Sequence, residues 1–115
     1  MKRDDMKIRV YIASPYSIGD KCLNVNKSLE ISNELIEHGF APFAPLLSHF
    51  HNMSFYQPYE VWMEQDMTWV ATCDCLLRLP GQSSGADREV DRANEVGIPV
   101  FYSLEDLYKH YKYII

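Results

Sequence analysis

The chain has little that would tie it to a membrane or to a nucleic-acid polymer. Across its 115 residues no apolar run approaches the length needed to cross a bilayer, and residues 1–9 are charged and lack an apolar signal core. A cytoplasmic location is the expectation. No basic run is present either, and the net charge is −5 with a sequence pI near 5.2. The counterion release that drives binding to a phosphate backbone therefore has no source, and any partner related to nucleic acid should be a small molecule. Cysteine is scarce and odd in number, at three, which argues against a disulfide scaffold. Cys73 and Cys75 fall in an apolar run that reads as a strand over residues 73–79, where both would share a face with Asp74 opposite. Cys22 stands alone in a polar loop, so no zinc-type spacing appears. All three are expected to be reduced, structural thiols.

What is present suits one compact domain over residues 1–115, since 47% of the residues are apolar. Residues 8–13 are β-branched or aromatic apart from one arginine and read as a first strand, closed by Ser14 and Pro15. From about Asn24, the positions Val25, Ser28, Leu29, Ser32, Leu35 and Ile36 form a helical stripe that ends at Gly39, where a left-handed cap belongs. Residues 40–45 are a short apolar run broken by prolines, which suits an edge strand. Residues 46–58 read as a long connection rich in aromatics and histidine, with little periodicity. A helix follows over residues 59–72, then the strand at 73–79, a loop, a helix, a fourth strand at 98–102 after the Gly97 stop, and a last helix opened by Ser103. Strands alternating with helices imply parallel pairing through right-handed crossovers. The expected fold is α/β, a three-layer Rossmann-like or flavodoxin-like parallel sheet of about four to five strands. Ligands in such sheets bind beyond the carboxyl ends of the strands, which here carry Ala13, Ser14 and Pro15 and the loop at residues 80–85.

The chain is organised around residues 79–93, where an apolar strand runs through a Gly/Ser loop into a helix. Ser83 or Ser84 can cap that helix, and Gly85 lets a ligand approach its backbone, so the first amides face outward and attract an anion or a polarised hydroxyl. Ala86, Val90, Ala93 and Gly97 recur at three- and four-residue steps as a small-residue stripe that packs on a sheet. Glu89 lies about 60° from the stripe centre and can point into the crevice that the loop borders. The alternative is a solvated glutamate paired with Arg88 or Arg92.

Asp66 interrupts a stripe of Trp62, Trp69 and Cys73 on the preceding helix. A carboxylate between two tryptophans on a buried face needs a hydrogen-bond or ionic partner, or a functional reason for being there. Desolvation would raise its pKa, as suits a general acid, whereas an N-cap or a salt bridge to a neighbouring strand would be a structural use. His49 and His51 would share a face in an extended chain, but no third metal ligand accompanies them, so a surface or substrate-contact role is favoured over metal binding.

Taken in order, these residues resemble the nucleoside 2-deoxyribosyltransferase-like superfamily, which includes nucleoside deoxyribosyltransferases and deoxynucleoside 5′-monophosphate N-glycosidases. The resemblance covers most of the chain. It rests on Tyr11 before the small-residue turn Ala13, Ser14 and Pro15, on Asp66 upstream of Asp74, and on Ser83, Ser84 and Gly85 followed by Glu89 and the small residue Ala93. It implies cleavage or transfer at the N-glycosidic bond of a nucleoside or nucleoside 5′-monophosphate, with no cofactor. Glu89 would be the nucleophile at C1′, Asp66 the acid/base at the nucleobase, and Tyr11 a hydroxyl holding Glu89 or a sugar oxygen. Ser14, Ser83 and Gly85 would bind the 5′ end, while Trp62, Trp69 or His49 would border the base. The superfamily also implies homo-oligomers whose neighbouring subunits line the site, for which Tyr108, Tyr111 and Tyr113 are candidate contacts. Two departures favour nucleoside over nucleotide. The first loop offers Lys21 where the N-glycosidases have an arginine, and Asp87 and Asp91 add negative charge to the helix. The second function class is a non-catalytic nucleotide-binding or sensing module on the same fold.

Overall fold

The computed structural model describes residues 6–112. Four strands form one all-parallel sheet in the order β2-β1-β3-β4: β1 (Arg9–Ala13), β2 (Ala41–Phe43), β3 (Cys75–Arg78) and β4 (Val100–Phe101). Five helices flank it: α1 (Lys21–Glu37), α2 (Ser48–Ser54), α3 (Tyr59–Val70), α4 (Ser84–Val96) and α5 (Leu104–Tyr111). The expected three-layer α/β architecture is the one found. No helix among the described residues is long and apolar enough to cross a membrane.

The central pair dictates the layers. In register, Val10 sits beside Cys75 and Ala13 beside Arg78, and every β3 residue is buried, as in strands covered on both faces. Alternation sends Val10, Ile12, Cys75 and Leu77 into one core with Leu35, Leu107 and Tyr111, under α1 and α5. It sends Tyr11, Ala13 and Leu76 into the other, with Val70 of α3 and Ala86 and Ala93 of α4. β2 is an edge strand, which accommodates Pro42 because only one of its sides needs ladder donors. Gly97 stops α4 in the left-handed conformation at φ 84°.

Several expectations are corrected. Cys73 precedes β3 and packs in the α3/α4 core, whereas Cys75 lies in the opposite one, so the two thiols do not share a face. Burial pushes them up to about 11 and about 12 respectively. The long connection contains a 3-10 turn at Pro45–Leu47 and then α2, which has no buried residue and therefore left no periodic apolar trace. Because α2 is helical, His49 and His51 diverge: His49 meets Tyr16, and His51 lies edge-on to Trp62. Trp69 is 47% exposed and stacks on Phe43, so the face of α3 turned to the core is carried by Met63 and Val70, not by the two tryptophans. Tyr111 is buried, and Tyr108 packs on Phe40 and His38, so both serve their own domain, while Tyr113 lies outside the described residues.

Candidate active site

The strand order reverses direction between β1 and β3, since β1 connects outward to β2 and β3 outward to β4. The crevice beyond their carboxyl ends is the position where such sheets hold ligands. A cavity of about 370 Å³ opens there, large enough for a small organic ligand.

Its floor is built by α4 lying across β1. Ser83 caps α4, its Oγ accepting from the Ala86 amide at 3.1 Å, and the small stripe of Ala86 and Ala93 lets the helix settle closely on the sheet. That docking carries Glu89 inward until it is only 5% exposed. It does not pair with the neighbouring arginines, for Arg88 grips Glu60 through both terminal nitrogens and Arg92 reaches Glu95. Instead the Tyr11 hydroxyl donates to Glu89 Oε2 at 2.5 Å. Tyr11 points this way because it occupies the β1 position that alternates toward α4.

Asp66, half-buried on α3, completes the group. The carboxyls of Asp66 and Glu89 interact, and each shifts the other's titration. Burial pushes Glu89 up to about 8, opposed first by the Tyr11 hydrogen bond and more weakly by the Arg78 guanidinium, and reinforced by Asp66. Burial likewise raises Asp66, to about 6. Of the two, the more deeply buried Glu89 is the more strongly raised. The Tyr11 hydroxyl is itself raised well above its ordinary value, by burial first and then by Glu89, so it stays a donor.

The remaining expected residues divide clearly. Ser14, His49, Trp62, Ser83, Ser84 and Gly85 line the same cavity as Asp66 and Glu89. Pro15 lines a neighbouring cavity instead, Ala13 is packed within the sheet core, and Trp69 faces away. Gly85 lies inside α4 with no left-handed backbone. Its role is spatial, since a Cβ there would come within 3.1 Å of the Tyr59 hydroxyl. Asp74 receives the Arg9 amide at 2.8 Å at the opposite, amino-terminal ends of the strands, far from the carboxylate pair in register.

Four contributors were not expected. Tyr16 donates its hydroxyl or accepts at His49 Nδ1 across 2.6 Å, fixing the ring of His49 at the cavity wall. Asn52 Oδ1 accepts from Trp62 Nε1 at 2.9 Å, which orients the indole. Tyr59 closes the side facing Gly85. Arg78, 8% exposed, donates to the Leu79 carbonyl, to the Gly81 carbonyl at 2.9 Å and to Asp87 Oδ1 at 3.0 Å, pinning the β3–α4 loop. Only an arginine alternating toward the α4 face of a buried strand could have signalled this, and its partners are set by the turn.

Among the described residues no group of three His, Cys, Asp or Glu side chains could hold a metal ion. A family model described as a domain of unknown function, DUF7768, matches residues 8–103. A comparison with curated proteins finds no match.

Proposed function

From a chain that belongs to the DUF7768 family, defined by sequence and not by activity, we infer chemistry on the basis of its site: cleavage or transfer at the N-glycosidic bond of a nucleoside or nucleoside 5′-monophosphate. The observation that carries this is the buried Glu89, held by the Tyr11 hydroxyl and interacting with Asp66, both carboxyls raised by burial, in a cavity bordered by Trp62 and His49. Breaking the bond builds positive charge at C1′ and negative charge on the departing base, so a carboxylate and a proton donor are needed together. Two carboxyls with one proton supply both, and the resemblance to the nucleoside 2-deoxyribosyltransferase-like superfamily points the same way.

In the first step the proton moves to Asp66 as positive charge develops at C1′ and draws Glu89 toward its ionised form. Glu89 forms a bond to C1′ while the C1′–N bond breaks, its electron pair leaves with the base, and Asp66 delivers its proton there. Tyr11 continues to donate to the oxygen of Glu89 not bonded to the sugar. In the second step Asp66, now a carboxylate, takes a proton from water or from an acceptor base, which attacks C1′ and frees Glu89. Water gives hydrolysis and a base gives transfer.

The test is base release from a panel of ribo- and deoxyribonucleosides and their 5′-monophosphates, with and without an added free base, for the wild type and Glu89→Ala. Release that the substitution abolishes supports the reaction, and dependence on the added base assigns transfer. Tight binding by both proteins with no release from any member would instead favour a nucleotide-sensing module.

A further inference from the structure

A second cavity of about 380 Å³ adjoins the first on the α1 side of the crevice. The two share Ser14, Ile18 and Gln82 and are therefore two chambers separated by a waist. Ser14 is 6% exposed, and its Oγ is buried with no hydrogen-bond partner. An orphaned buried hydroxyl of this kind is destabilising relative to a satisfied one, although the neighbouring Ala13 shows that a small apolar residue fits the end of β1. A ligand group lying in the waist would satisfy it.

The far chamber is mainly apolar, walled by Ile31 and Leu79, with the amide of Gln82 and a single cation, Lys27. Lys27 has no ion pair among the described residues, and the Glu30 carboxylate beside it accepts from Asn26 Nδ2 at 3.0 Å. The negative charge expected from Asp87 at the start of α4 is neutralised by Arg78 at 3.0 Å, and Asp91 lines a separate groove with Arg92. An anionic bridge can therefore cross the waist with Lys27 ahead of it and Asp87 at the helix start already paired, the Glu30 carboxylate being the one negative charge among the described residues of the chamber wall.

Building on the glycosidic activity inferred above, we propose that this chamber is a second substrate subsite and that the substrate class is a phosphate-bridged dinucleotide. The nucleoside whose bond is cleaved occupies the Glu89 chamber, the bridge accepts from the Ser14 hydroxyl and faces Lys27, and the second organic moiety fills the apolar chamber. The near-equal volumes of the chambers match two moieties of similar size, and the apolar walls suit a ring system better than a bare terminal phosphate.

The experiment is calorimetric titration of adenosine, its 5′-monophosphate, its 5′-diphosphate, diadenosine diphosphate and nicotinamide adenine dinucleotide. It uses the wild type, and Glu89→Gln to keep the ligands intact, each with and without Lys27→Glu or Ile31→Trp. At least one dinucleotide should bind about tenfold or more tighter than the monophosphate. Ile31→Trp should erase that increment and leave monophosphate affinity within about twofold, and Lys27→Glu should weaken the dinucleotides more than the monophosphate, whose single phosphate also faces Lys27. Equal affinity of dinucleotides and monophosphate, or a uniform loss across all ligands in both variants, overturns the proposal. So does a diphosphate that matches the dinucleotides, because the chamber then reads charge alone. Dinucleotide binding that depends on Lys27 without any base release would keep the subsite and remove the glycosidic reaction. Release from bare nucleosides with no dinucleotide increment would do the reverse.

Discussion

Tyr11 and Glu89, 78 positions apart, meet in a buried hydrogen bond of 2.5 Å that joins the central strand β1 to α4. The hydroxyl has no competing use among the described residues, and it lowers the pKa of a carboxyl that burial raises. Tyr11→Phe keeps the ring packed beside Phe43 and removes only that donor. Base release should fall about 10- to 100-fold, mostly in kcat, because the donor favours the ionised nucleophile and not the bound ground state. The pH at which Glu89 ionises should move upward. A fall confined to KM, with an unchanged pH profile, would instead make Tyr11 a packing residue.

The proposed reaction requires Asp66 and Glu89 to hold one proton between them. The rate should therefore be bell-shaped in pH, with limbs near about 6 and about 8 as the pair loses its first and then its second proton. Asp66→Asn removes the acid and also the charge that raises Glu89. The descending limb should vanish, and the single ascending limb that remains, now Glu89's own ionisation, should lie below about 8 because the Asp66 charge is gone while burial still raises the carboxyl. Release of ordinary bases should drop about 10²- to 10⁴-fold, whereas a nitrophenyl deoxyriboside, whose leaving group needs no proton, should lose far less. Equal losses for the two leaving groups would show that Asp66 does not protonate the base.

The parts of this site that were legible in the sequence are those set by local rules. Ser83 as a cap, the small stripe that carries Glu89 inward and the Gly97 stop each follow from neighbours within a few residues. Tyr11 facing α4 follows from strand alternation once β1 is known. What escaped depends on packing between elements far apart in the chain. The interaction of Asp66 with Glu89 comes from α3 lying against α4. Helix α2 has no core-facing stripe to betray it, yet it brings His49 and Asn52 to the cavity. Cys73 reads as part of β3 in the sequence because apolar character runs through the turn that precedes the strand. Lys27 is one of several charges on α1, and only the cavity beside it gives it a possible use.

Stability supplies the last test, because Glu89 is costly to keep where it is. Its folded pKa is raised from an ordinary 4.5 to about 8, burial being the largest cause. Between those values the folded chain holds a proton that the unfolded chain releases, so stability is fullest below about 4.5 and is lost as pH rises through about 8. Asp66, raised from 3.8 to about 6, adds a smaller decline of the same sign at lower pH. Glu89→Gln keeps the volume, accepts from Tyr11 with its carbonyl and donates to Asp66 with its amide, but never ionises. The variant should be inactive yet melt near the wild-type temperature at pH 4.5 and about 5 °C or more above it at pH 8.5. Parallel melting curves across that range would mean that Glu89 titrates alike in the folded and unfolded chains, which is incompatible with a buried carboxyl pair sharing one proton. A widening gap would show that the fold tolerates an unfavourable charge at this one position, which a purely structural glutamate, replaceable by glutamine at a gain, gives no reason to retain.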